Sequence, residues 1–125
     1  MSAREVKQPT AAHPITITPT GGRVRVRVNG ELVADTRAAI GLQESTYPVV
    51  HYIPIGDVDP KVLSRSETHT YCPYKGEAGY FHVTVDGATV EDAIWTYDDP
   101  YPAVAAIAGH VAFYPTKADI AVEPD

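Results

Sequence analysis

The single cysteine of this chain, Cys72, lies in the run Thr70-Tyr71-Cys72-Pro73-Tyr74-Lys75-Gly76, so a thiol and an ammonium share one short proline-and-glycine segment. A nearby lysine, or His69 or His82, favours the thiolate, which is the nucleophilic and redox-active form of cysteine. Cys72 is therefore the candidate catalytic residue, weighed against the usual role of a lone free cysteine as a small packed side chain. Lys75 has the character of a point charge for a phosphate or carboxylate, against the alternative of a solvated loop-tip lysine. Trp95 and Tyr97 alternate along one strand and offer a stacking face for a base or sugar ring, or else fill the core. Glu44 and Asp57 supply carboxylates for general-base or ligand-orienting work, with capping and turn roles as the competing reading. His69, His82 and Glu67 have donor atoms suited to zinc or copper, but no firm third ligand accompanies the histidines, so no metal is assigned.

These groups need a scaffold, and the hydrophobic pattern describes one made of strands. Val24, Val26 and Val28 alternate with Arg23, Arg25 and Arg27, then Asn29-Gly30 leads into Glu31 to Thr36, the pattern of a type I′ hairpin. Ala38 to Ile55 is broken by Pro48 and Pro54 into two strands kinked at Tyr47-Pro48. Asp59-Pro60 predicts one short helical turn. Ser66 to Cys72 and Gly79 to Val85 read as a second hairpin whose connection runs from Cys72 to Gly79. Centring it between Lys75 and Gly76 sets His69 opposite His82, Tyr71 opposite Tyr80 and Cys72 opposite Gly79. Phe81, Val83 and Val85 then face inward with Ser66, Thr68, Thr70 and Cys72, and a one-residue slip reverses that assignment. After an Asp86-Gly87 turn, Thr89 to Tyr97 forms a strand with Glu91, Ala93, Trp95 and Tyr97 on one face. Ala103 to Gly109 predicts a short helical turn, and His110 to Tyr114 and Ala118 to Glu123 predict two closing strands around Pro115-Thr116-Lys117. Residues 1–22 read as a loose arm ending in an edge strand at Ile15 and Ile17, and residues 23–125 as one β domain.

Composition agrees with this. Eleven prolines and nine glycines disfavour long helix, and 44% hydrophobic with 21% charged residues is the balance of a globular protein. A formal charge of −6 opposes a nucleic-acid partner, since displacing backbone counterions needs a concentrated basic surface. The arginines alternating with valines read as the solvated face of a strand. No apolar run reaches the roughly 18 residues of a membrane span, no secretory leader pattern opens the chain, and one cysteine suits a reducing compartment, so a cytoplasmic location is expected.

The run Glu44, Tyr47-Pro48, Tyr52-Ile53-Pro54, Asp57-Val58, then Cys72-Pro73-Tyr74-Lys75-Gly76 with Ala78 and Tyr80, Trp95-Thr96-Tyr97 with Pro100, and Gly109-His110-Val111-Ala112-Phe113-Tyr114 resembles the domain of unknown function 427. The resemblance covers about Arg23 to Val122. It implies a compact β domain similar to the tent-like folds of B-type methionine sulfoxide reductases and a zinc-bearing guanine-exchange chaperone. The family has also been labelled nucleotidyltransferase-like, yet no glycine-rich loop opens a helix here and no close carboxylate pair is placed to hold metal ions on a phosphate. A chain with one cysteine cannot build the four-thiolate zinc site of tent-fold relatives. No cofactor is therefore expected.

The expected fold is mainly β: one compact domain of short antiparallel strands and hairpins, tent-like or half-barrel, with one or two short helical turns. The leading functional expectation is a pocket for a small anionic, nucleotide-like molecule, with Thr70, Cys72, Tyr74, Lys75, Gly76, Trp95 and Tyr97 as its ligand-binding residues. Two alternatives stand beside it. One is an enzyme of nucleotidyl or acyl transfer or of Cys72 redox chemistry; the other is an interaction module pairing through a strand edge. Neither nucleic acid nor membrane is an expected partner, and the oligomeric state is left open.

Overall fold

The computed structural model describes residues 4–124. Ten antiparallel strands make two sheets. In chain order they are β1 (Ile15–Pro19), β2 (Gly22–Val28), β3 (Glu31–Thr36), β4 (Ile40–Glu44), β5 (Val50–Pro54), β6 (Leu63–Cys72), β7 (Gly76–Val85), β8 (Ala88–Thr96), β9 (His110–Phe113) and β10 (Asp119–Pro124). Seven strands form one sheet in the order β1-β4-β5-β9-β8-β7-β6, and three form the other in the order β10-β2-β3. Helical structure is confined to short 3-10 turns at Ile55–Asp57, Pro60–Val62 and Pro102–Ile107. No helix among the described residues is long and apolar enough to cross a membrane.

The β2–β3 hairpin follows directly from sequence. Asn29 and Gly30 take φ of 50° and 83°, the left-handed pair a type I′ turn demands. Val24, Val26 and Val28 are at most 1% exposed, each gaining roughly 2 kcal/mol over an exposed position. On the other face Arg23 makes two hydrogen bonds to Asp35, of 2.8 and 2.6 Å, and Arg25 reaches Glu123 at 3.0 Å. Arg23 and Arg25 are thus paired with carboxylates of the two flanking strands.

Both faces of the seven-stranded sheet are buried over part of their area. Ile53, Ile94, Val111 and Phe113 join the valines of β2 in one core, whereas their neighbours Tyr52 and Ala112 join Leu42, Tyr80, Tyr97, Val104 and Ile107 in a second. Because adjacent strand residues point to opposite sides, the three-stranded sheet covers one face and the turn carrying Val104 and Ile107 lies against the other.

Several details differ from the sequence expectation. The β6–β7 connection is only Pro73-Tyr74-Lys75, with Cys72 opposite Gly76, Thr70 opposite Ala78 and His69 opposite Gly79. This odd shift in register moves Ala78 and Tyr80, rather than Phe81, Val83 and Val85, to the side of Thr70, whose hydroxyl lies 2.8 Å from that of Tyr80. Gly76 at φ 112° makes the tighter turn possible, since an L side chain rarely adopts that conformation. Irregularities between Arg65 and His69 and between Phe81 and Val83 break the alternation again. In β8, Asp92 at φ 49° marks a bulge that separates Ala93, in the first core, from Trp95 and Tyr97 at the second. The two closing strands form as expected but do not pair with each other: β9 lies between β5 and β8, and β10 pairs with β2.

Candidate functional site

The tight β6–β7 turn carries Lys75 into the protein instead of out to water. Its backbone N–H donates to the Cys72 carbonyl at 3.2 Å, and its carbonyl accepts from Tyr101 N–H at 3.0 Å. The residue is 7% exposed. Its ammonium donates to Glu44 Oε1, from the end of β4, and stands 3.8 Å from Cys72 Sγ. The other oxygen of Glu44 lies 2.8 Å from His13 Nε2, and the His13 ring stacks on Tyr74 at 4.4 Å between centroids. Burial alone would raise the Glu44 carboxyl, but hydrogen bonds from Lys75 and His13 outweigh it and hold the carboxyl below its usual range.

This ion pair lines a hollow of about 310 Å³ whose other walls are five phenols, one indole and the aliphatic Leu42, Pro48 and Val50. Trp95 Nε1 donates to the Tyr52 hydroxyl at 3.2 Å, and the Trp95 ring packs against Tyr114 at 4.5 Å. Tyr80 and Tyr114 stack with planes 5° apart. Tyr97 also lines the hollow, and its hydroxyl makes no hydrogen bond among the described residues. Burial pushes the Tyr52 phenol up to about 12 and raises those of Tyr97 and Tyr114 as well, so all three stay neutral.

The model of the family described as domain of unknown function 427 matches residues 16–124, from the second residue of β1 through β10. The chain belongs to that family. No curated protein matches it. In this DUF427 domain Lys75, Trp95 and Tyr97 come together around the hollow. Thr70 stands behind the wall, bonded to Tyr80, and Cys72 stands behind Lys75, half-buried against the second core. Tyr74 turns to His13.

Gly76 belongs to a separate hollow of about 350 Å³, with Arg4, His69, Glu77 and Tyr101. The charges there largely satisfy one another: Arg4 bonds Glu77 at 2.9 Å, and His69 lies 3.4 Å from the same carboxylate. His82 is elsewhere, accepting the Asp92 backbone N–H at 3.0 Å. Among the described residues no three His, Cys, Asp or Glu side chains gather as a metal site. Asp57 accepts the Thr36 hydroxyl at 2.7 Å, a turn-stabilising contact away from the hollow.

Sequence reasoning expected an aromatic cleft with Tyr80 and Tyr97 near it, but did not place His13, Tyr52 or Tyr114 at the site. Nothing near His13 in the chain announces its contact with Glu44, which the pairing of β1 with β4 creates. For the phenols a signal existed, since eight tyrosines against two phenylalanines is a composition in which many buried rings carry hydroxyls that need partners.

Proposed function

We propose that this domain binds a small molecule by taking a planar, hydrogen-bonding ring into the hollow against Trp95. The observation that carries the reading is Tyr97, which lines a space of ligand size and whose hydroxyl has no partner among the described residues, while its neighbours are bonded to one another. A few polar groups converging within aromatic walls is the usual character of a small-molecule site, and about 310 Å³ is at the small end of such sites. Lys75 supports an anionic ligand less than its sequence position suggests, because Glu44 already neutralises it and would itself repel a phosphate. A nucleobase, a phenol or another uncharged ring with both donor and acceptor fits better than a nucleoside triphosphate.

The test is a thermal-shift and calorimetric screen of nucleobases, nucleosides, phenols and phosphorylated metabolites, since binding to the native state raises the melting temperature by mass action. Ring compounds are expected to stabilise the domain, and Tyr97→Phe to weaken them about 5- to 30-fold, the worth of one or two kcal/mol of hydrogen bond. A screen in which no ring compound binds, or in which Tyr97→Phe binds equally well, overturns the reading.

An enzymatic reading, nucleotidyl or acyl transfer or thiol redox chemistry, is favoured by one observation, the 3.8 Å between Cys72 Sγ and Lys75 Nζ. It predicts that Cys72→Ser abolishes turnover of a ligand found by the screen. A pure binding role predicts no turnover and an undiminished thermal shift in Cys72→Ser.

A further inference from the structure

A third hollow, of about 510 Å³, adjoins that of Lys75 and Trp95 and has a different chemistry. Tyr47, Pro48, Val50 and Trp95 line both, so the two spaces meet along a shared wall. Beyond that wall the lining passes to Val49, Phe113, Ile120 and Val122, with no Asp, Glu, Lys or Arg among the residues around it. His51 is the one ionisable ring besides Tyr47; burial lowers its pKa, and its Nδ1 lies 3.0 Å from the Thr20 hydroxyl. The groove falls where β10 of the smaller sheet approaches β5, β8 and β9 of the larger. Three of the six large apolar side chains left markedly exposed among the described residues line it: Tyr47 at 62%, Val49 at 45% and Val122 at 40%. Such a concentration beside a polar cavity leaves apolar area in water that an occupant would cover.

We propose that the ligand is an amphiphile, whose polar ring occupies the phenol-lined hollow and whose apolar chain runs over Trp95 into this groove. The inference rests on the ring-binding reading above. The two spaces adjoin across Tyr47, Pro48, Val50 and Trp95, and the change from hydroxyls and an ion pair on one side to uncharged side chains on the other matches a molecule polar at one end only. A soluble nucleotide would leave the groove empty. A wholly apolar chain would leave the Tyr97 hydroxyl unsatisfied.

The chain's one tryptophan lines both spaces and serves as the reporter. Methyl, butyl and heptyl 4-hydroxybenzoate are titrated against the full chain at pH 7 by tryptophan fluorescence and calorimetry. Affinity is expected to rise about two- to fourfold for each methylene added, as buried CH₂ groups do. Val122→Glu and, independently, Val49→Asp are expected to flatten that rise while leaving the methyl ester's affinity unchanged, since neither residue borders the first hollow. Methyl ester binding with no gain along the series, or a gain that survives in both variants, overturns the chain-binding groove and leaves the ring site standing. Absence of binding by every ester, with both variants folded by circular dichroism, overturns the ring site and the groove together.

Discussion

Lys75 is the residue on which the site's chemistry turns, because its charge is held out of water by a single carboxylate. Removing one member of a buried pair strands the other, whereas removing both together costs much less. Glu44 keeps His13 and is one-fifth exposed at its side chain, which softens that penalty. Lys75→Met is therefore expected to lower stability by about 1–3 kcal/mol, and Lys75→Met combined with Glu44→Leu to recover part of it, as read from urea midpoints. The pH dependence has a definite sign. The folded-state Glu44 carboxyl is depressed below its ordinary 4.5, so its contribution is complete above that value and is lost as the pH falls through the depressed one. Acid unfolding of the native chain should show a component below that ordinary value which Glu44→Gln removes.

At the scale of the element, the β6–β7 hairpin decides whether Lys75 reaches Glu44. A three-residue connection needs a residue tolerant of positive φ where the return strand begins, and Gly76 supplies it at φ 112°. Gly76→Ala should cost about 1–3 kcal/mol through backbone strain, because a Cβ there meets its nearest neighbour, the Asp99 carbonyl oxygen, only at 3.5 Å. Its effect on ligand binding should follow Lys75→Met rather than Tyr97→Phe, a comparison that calorimetry of the three variants makes directly. The sequence called for a hairpin here and placed its two strands, yet it spread the turn over Cys72 to Gly79. Pro73, Gly76 and Gly79 all permit turns, and choosing among them depends on where β8 requires Tyr80 and Phe81 to pair, opposite Trp95 and Ile94.

For the whole molecule, the smaller sheet is closed by strands from far apart in the chain: β10 pairs with β2, Asp119 opposite Arg27 and Val122 opposite Val24. Such pairings bear a loop-closure cost before any contact repays it, so folding in milliseconds to seconds is expected in stopped-flow measurements. Removing residues 118–125 should expose the edge of β2 and the flank of the first core, at a cost of several kcal/mol, and promote association through the bared strand. Size-exclusion chromatography and urea unfolding of the shortened chain check both effects. The same truncation deletes Ile120 and Val122 from the apolar groove, so chain-length dependence of ligand binding should vanish with it.

By itself the sequence determined the fold class, the Asn29-Gly30 turn, the buried valine row, the break at Tyr47-Pro48 and the interest of Lys75, Trp95 and Tyr97. These are consequences of local alternation and turn chemistry, which act between near neighbours and can be read residue by residue. Only the tertiary structure decided that Lys75 points inward to Glu44 and His13, that Cys72 stands behind it, and that an apolar groove opens beside the phenols. The first and last of those join strands distant in sequence, and the second depends on the register of the β6–β7 hairpin; a register shift of one residue exchanges inside for outside, and register is fixed by packing across both sheets at once.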